Sequence, residues 1–413
     1  MLDIKFIRNH PDLVKGCCCK KGVKVDIDRL LELDTKRREF LKEIENLRHQ
    51  LNIISSKKPD QGEIEKGRKI KEGQKEIEEM LKKIEREFND LMLQIPNLPF
   101  DDVPVGKNEN ENVVLRKWGE KPKFDFQPKD YLTLAENLDL IDIKRAAKVS
   151  GTRFGYLKNE IVLLELALIN LVFETLKNEG FIPIIPPVMI SEKAMKGMGY
   201  LAHGGEEETY HFEKDKLYFV GTSEQAIGPM YMDEILKENE LPKRFLGFST
   251  CFRREAGSYG KDTKGIFRVH QFDKVEMFSF SRSEDSKKEH QFFLETEEKL
   301  MRALKIPYRV VQMCTGDLGD PAAAKYDIEA WFPSQNRYRE THSTSNCTDF
   351  QSRRLNIRFR DRDGALKFVH TLNGTAFSQR PILAILENYQ QKDGSVKIPK
   401  VLEKYLPFKI IKR

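Results

Sequence analysis

Chemistry-bearing residues concentrate in one stretch, FLGFSTCFRREAGSYGKDTKGIFRVHQFDKVEMFSF, residues 245–280. Its pattern reads as a strand, a long polar loop and a second strand over 267–280. Arg253, Arg254 and Glu255 close the first strand, while Arg268, His270, Phe272 and Glu276 fall on the second. Alternate strand residues share a face, so 268, 270, 272, 274 and 276 would present Arg, His, Phe, Lys and Glu together. That set makes a poor core and a good ligand surface. A guanidinium grips phosphate through paired hydrogen bonds, an aromatic ring stacks on a base, and a carboxylate binds an ammonium. Taken singly, Arg253 and Glu255 would read as a surface ion pair and Phe272 as core. His270 has no metal partner at ligand spacing and reads as structural; Cys251 and Cys347 read as core.

Other chemistries are absent. No phosphate loop of the G-x-x-x-x-G-K-[ST] type occurs, and GSYGKD (257–262) has the wrong glycine spacing. There is no dinucleotide fingerprint after a strand, no H-E-x-x-H and no G-x-S-x-G. Cys17, Cys18, Cys19, Cys251, Cys314 and Cys347 form no C-x-x-C pair. They imply a reducing, cytoplasmic setting and no structural zinc. The longest apolar run, 161–173, is too short to span a membrane and carries Glu165 and Asn170. The first residues lack the basic head and apolar run of a secretory signal.

The elements that must position these residues divide the chain in two. With 413 residues, two or three domains are expected. Charged residues make up 33%, above the ~25% of ordinary globular chains, which implies a long solvent-washed element. Residues 30–95 supply it. Apolar residues at Phe40, Ile44, Leu47, Leu51 and Ile54 are spaced 4, 3, 4 and 3 apart, a coiled-coil seam interrupted by Arg37. A second run, Ile77, Leu81, Ile84, Phe88, Leu91 and Ile95, keeps the same steps. Between them SSKKPDQG (55–62) holds Pro59 and Gly62, read as helix breakers. The pattern predicts an antiparallel helical hairpin over about 28–95, with Lys57 and Lys58 at its tip suited to phosphates. The Pro-rich IPNLPFDDVPVG (95–106) marks a boundary, dividing an N-terminal domain, 1–100, from a second, 101–413. The second reads as α+β: clusters of short strands with few helices between them argue for an antiparallel sheet. Lys and Arg exceed Asp and Glu by 71 to 65, a mild positive excess compatible with a nucleic-acid partner.

With these pieces in order, the chain resembles the seryl-tRNA synthetases, class II aminoacyl-tRNA synthetases, over essentially its whole length. FRREAG…RVHQFDKVE is similar to motif 2 of the class. GFIPIIPP (180–187), with Pro187, is similar to motif 1, and LNGTAFSQRPILAILENYQ (372–390) to motif 3. GTSEQ (221–225), TGDLG (315–319) and RETHSTSN (339–346) fall in family order, and the hairpin matches the family's tRNA-gripping arm. The resemblance implies ATP-dependent ligation of L-serine to tRNA(Ser), with tRNA(Sec) a further substrate, through a seryl-adenylate, in a cytoplasmic homodimer. It implies that Arg253 and Arg380 are catalytic. Arg254, Glu255, Val269, Phe272, Glu340, Thr341, His342 and Ser343 join those arginines in binding ATP. Glu340 and Ser343 would hold Mg2+. Thr222, Ser223, Glu224, Glu276 and Thr375 would bind serine, and the loop 256–266 would meet the tRNA acceptor end. One departure stands out: five positions separate Thr375 from Arg380 where six are expected.

Three other readings share parts of this pattern. A relative that acylates a carrier protein would lack the arm. An inactive RNA-binding relative would lack Arg253, Arg380, Glu276 or Glu340. A class II enzyme for another amino acid would carry an anticodon-binding domain instead of the hairpin.

Overall fold

A computed structural model describes every residue except 57–59, 257–261 and 263. Lys57, Lys58, Pro59 and most of the loop expected at the acceptor end therefore lie outside the described residues. The chain forms two compact units, Met1–Pro96 and Asn97–Arg413.

In the first unit, the side chain of Asp26 accepts the Arg29 N–H and caps helix α1 (Ile27–Ser55). Helix α2 (Gln61–Gln94) starts at a capping box, Asp60 accepting from the Glu63 N–H and Glu63 from the Asp60 N–H. Gly62, expected to break the helix, lies in its first turn, because the cap at Asp60 sets the start. The predicted seam packs: Ile44, Ile77 and Leu81 are buried, with Phe40 and Leu47 against them. Arg37, at the interruption, lays its guanidinium 5.4 Å from the Phe88 ring centroid and pairs with Glu85 at 3.2 Å. A long cationic side chain can thus fill a seam position with its stem and keep its head wet. Two short helices, Ile4–Asn9 and Pro11–Lys20, precede the hairpin.

The second unit begins by tying down its own Pro-rich segment. The Asn97 side chain donates to the Pro321 and Cys347 carbonyls, both at 2.9 Å, and the Phe100 N–H donates to the Ala323 carbonyl. The main sheet has eight strands: β1 (Val113–Trp118), β2 (Phe181–Ile184), β3 (Lys243–Phe252), β4 (Gln271–Ser281), β5 (Tyr308–Gln312), β6 (Ala324–Phe332), β7 (Arg337–Asn346) and β8 (His370–Phe377). Their order is β1-β5-β6-β7-β8-β4-β3-β2, antiparallel throughout except for the edge pair β2–β3. Helices α3 (Glu160–Leu176), α4 (Ser286–Ala303) and α5 (Arg380–Asn388) pack on it. From α4, Phe293, Leu294, Leu300 and Met301 are buried, each contributing about 1.5–3 kcal/mol by leaving water. The α+β antiparallel architecture expected from the sequence is the one observed.

The second strand of the chemistry-bearing stretch is shorter than expected. It starts at Gln271, so Arg268 and His270 precede it. The ladder is diverted there: the His270 N–H donates to the Arg153 carbonyl and its own carbonyl accepts from the Arg253 N–H.

Candidate active site

From Gln271 onward β4 keeps strict alternation. Val275 and Met277 are fully buried in the core, while Phe272, Lys274 and Glu276 line a cavity of about 660 Å³. The neighbouring strands deliver polar groups to the same cavity through two bulges. Ile328 pairs with His342 and Glu329 with Glu340, leaving Thr341 as an extra residue in β7. Residues three apart on a regular strand point to opposite faces. The bulge cancels that, and Glu340 and Ser343 both reach the cavity. On β8, Val275 pairs with Phe377 and Glu276 with Thr375, which makes Ala376 the extra residue. Asn373, Thr375 and Ser378 then all line the cavity, with Thr375 directly across from Glu276.

The GTSEQ segment seats by a different device. Gly247 on β3 has no side chain, and a Cβ there would stand 2.5 Å from Ile227 and 2.8 Å from Ser223 Oγ. The segment therefore presses on the strand, and Ser223 donates to the Gly247 carbonyl at 3.2 Å. Thr222 and Glu224 on either side line the cavity.

The charge is distributed unevenly. In one part, Lys274 Nζ is 2.5 Å from Glu276 Oε2 and donates to Thr222 Oγ1 at 3.2 Å. Glu224, also buried, accepts from the Tyr200 hydroxyl. Burial pushes the Glu276 carboxyl up to about 7; Lys274 pulls it down and Glu224 pushes it further up. Burial likewise raises Glu224, against the pull of Lys274. Two buried carboxyls thus draw on one ammonium, with a smaller pull from Arg253 on both, and a further cation entering beside them would complete the pairing. Elsewhere in the cavity the balance reverses. Arg253, Arg268, Lys325 and Arg380 all line it. Arg380 Nη1 stands 2.9 Å from Glu340 Oε2. Burial opposes ionisation of Glu340, but Arg380, Lys325 and Arg253 hold it down at about 2. Arg253 Nε donates to the Gly221 carbonyl at 3.0 Å and its guanidinium lies 5.2 Å from the Phe272 ring centroid. Arg380 instead lies 5.0 Å from the centroid of Phe267. Arg268 donates to Glu255 at 2.8 Å.

Of the residues expected to form the site, Arg253, Glu255, Val269, Phe272, Glu276, Thr222, Glu224, Glu340, Thr341, Ser343, Thr375 and Arg380 line this one cavity. Ser223, Arg254 and His342 do not. Ser223 is the strut against Gly247. Arg254 is exposed, its N–H given to the Glu208 carbonyl. His342 is buried beside the Thr341 hydroxyl, and burial with Lys274 nearby depresses its imidazole to about 3. Sequence reasoning missed Tyr200, Lys325, Asn373 and Gln379. Lys325 was findable: it stands two residues before Asp327 and four before Glu329, so three charged residues alternate along one strand. Among the described residues no group of three His, Cys, Asp or Glu side chains could hold a metal.

The sequence matches the tRNA synthetase class II core domain (G, H, P, S and T) over residues 209–389 and the seryl-tRNA synthetase N-terminal domain over residues 1–99. It is 47% identical to the serine–tRNA ligase of Dictyoglomus turgidum, with 98% of each chain covered. The fold superposes on the seryl-tRNA synthetase of Pyrococcus horikoshii complexed with ATP at a TM-score of 0.93 and 45% identity, covering 100% of this chain and 99% of that one. It also superposes on the cytoplasmic serine–tRNA ligase of Naegleria fowleri in complex with AMP at 0.89 and 33% identity, with the same coverage. Identity at this level across both units, together with the eight-stranded sheet and the helical hairpin, leaves one conclusion: the chain belongs to the seryl-tRNA synthetase family.

Proposed function

We propose that this chain activates L-serine with ATP inside the cavity and transfers the seryl group to tRNA(Ser), with tRNA(Sec) a further acceptor. The observation that carries the reading is the buried pair Glu276 and Glu224 drawn to the same Lys274, while arginines line other parts of the same cavity. The carboxylates suit the ammonium of an amino acid. Thr375 and Thr222 supply hydroxyls for a small polar side chain. Arg253 suits the α-phosphate, Phe272 one face of the adenine and Arg380 the other, Glu255 the adenine amino group and the Val269 backbone the nucleotide edge. Glu340, held ionised, and the Ser343 hydroxyl are hard oxygen donors of the kind magnesium takes beside phosphate oxygens, and they would hold an ion that neutralises phosphate charge.

In the first step a serine carboxylate oxygen attacks the α-phosphorus and pyrophosphate leaves. In the second, the terminal ribose hydroxyl of the tRNA attacks the acyl carbon and AMP leaves. Neither step needs a protein nucleophile, so catalysis consists of positioning and charge stabilisation by the arginines. A pocket that hydrogen-bonds the serine hydroxyl rejects alanine by about 10⁴, because its polar groups would be left unpaired.

The arm suits the tRNA, its exposed lysines and arginines facing a polyanion. A homodimer is supported by exposed apolar side chains: Val162, Leu163 and Leu166 on α3, and Ile182 on the edge strand β2 with Ile185 just beyond. No described helix is long and apolar enough to cross a membrane. A cytoplasmic setting is supported by the six cysteines, which fall at no disulfide-framework spacing.

ATP–pyrophosphate exchange with each of the twenty amino acids, without tRNA, tests the reading. Exchange driven by serine alone is expected. No exchange from folded protein with magnesium would sink it, and exchange with another amino acid would overturn the roles of Glu276 and Thr375.

A further inference from the structure

Behind the cavity wall sits a carboxyl that the reaction above does not use. Glu297, on α4, has no exposed surface, and neither of its oxygens makes a well-formed hydrogen bond. A buried polar group in that condition is costly and rare enough to require a reason. Its position supplies one. Helix α4 packs on β8, where the Phe293 ring stands 3.0 Å from the place a Cβ on Gly374 would occupy. Glu297 is one turn further along the same helix face, and the backbone of the next strand residue, Thr375, acts on its carboxyl. Thr375 pairs with Glu276 on one side only. The β7–β8 ladder ends at the Thr344–Gly374 pair, and on the β4 side the bulge at Ala376 interrupts the register next to it.

We infer that Glu297 is a positioning residue for serine recognition: from behind the sheet, its carboxyl anchors the backbone of Thr375 at the bulge, keeping Thr375 opposed to Glu276 on the pocket wall. The inference rests on the reading of that wall as the serine pocket. Burial, with Glu276 and then Asp327 nearby, pushes the Glu297 carboxyl well above the usual range, so the uncharged acid is the form that fits there. A glutamine of the same length can then replace it, whereas an apolar or shorter side chain cannot.

The test is serine-dependent ATP–pyrophosphate exchange by the full-length enzyme. Glu297→Met should raise the serine KM by about tenfold, on the order of the cost of withdrawing a buried polar group from beside a backbone, with the ATP KM within about twofold of wild type. Glu297→Asp, one methylene short, should fall between, and Glu297→Gln should stay near wild type. Unchanged serine KM in the Met and Asp variants would overturn the inference. So would a glutamine as damaging as methionine, or serine and ATP KM rising together, which marks a merely structural role. If the Met variant does not fold, the Asp and Gln pair decides on the same criteria. Thr375→Val separates the two levels. If it raises the serine KM while the Glu297 variants do not, the inference fails alone. If wild type shows no serine-dependent exchange, the pocket assignment fails first.

Discussion

On the arm, Arg48 and Glu78 stand 3.1 Å apart with side chains 62% and 41% exposed; on β4, Lys274 and Glu276 stand 2.5 Å apart at 10% and 1%. Both are ion pairs and they do opposite work. The arm pairs are spread over solvated faces, Arg29 with Glu87 and Lys69 with Glu65 among them, where screening leaves each about 0–1 kcal/mol. The sheet unit instead buries charge: Glu276 and Glu224 crowd around Lys274, and cations gather around Glu340. Desolvated charge without a full partner is what a substrate can complete. A solvated, mobile field of charge is what a polyanion can dock on and leave. The difference suits the sheet to chemistry and the hairpin to docking, as proposed above, and it can be broken residue by residue.

The largest effect is expected at Arg380. Arg380→Ala removes the guanidinium proposed to close the second face of the adenine and should lower the rate of serine activation by about 10²-fold in pyrophosphate exchange, through misplaced ATP. Glu340, freed of its 2.9 Å partner, should also titrate higher. Glu276→Gln comes next, raising the serine KM by about 30-fold or more and leaving the ATP KM nearly unchanged.

The same variant has a pH signature. The Glu276 carboxyl goes from an ordinary 4.5 to about 7 on folding, so the folded state holds its proton more tightly. That contribution to stability is complete below 4.5 and is lost as pH rises through about 7. Without serine, Glu276→Gln should therefore gain on wild type across that interval, by up to about 3 kcal/mol, read as a widening Tm difference. A gap that narrows with pH would mean the carboxyl is ionised in the empty pocket.

Arm substitutions should be milder and confined to tRNA. Changing Lys66, Lys69 and Lys71, all exposed, together to Gln should weaken tRNA binding and lower its salt slope by about one for each phosphate no longer neutralised. Arg48→Ala should change stability by less than about 0.5 kcal/mol.

The same contrast governs what the sequence made legible. The hairpin could be read because a solvated two-helix element shows its period openly; Phe40, Ile44, Leu47, Ile77 and Leu81 pack as their spacing predicts. On β4 the period of two likewise placed Phe272, Lys274 and Glu276 together. Bulges were not legible. Nothing in RETHSTSN marks Thr341 as the extra residue that lets Glu340 and Ser343 share a face, and nothing in NGTAF marks Ala376. Both depend on partner strands distant in sequence. The strand start at Gln271 was hidden for the same reason, since the His270 backbone turns away to Arg153. Gly62 misled because glycine breaks helices only where no cap overrides it.

The division of labour is tested most directly by running the Lys66/Lys69/Lys71→Gln variant and the Glu276→Gln variant through two assays on the same preparations: pyrophosphate exchange without tRNA, and seryl transfer to tRNA. The arm variant should exchange like wild type and fail only in transfer, while the Glu276 variant should fail in both at limiting serine. An arm variant that loses exchange, or a Glu276 variant that keeps its serine KM, would contradict the account.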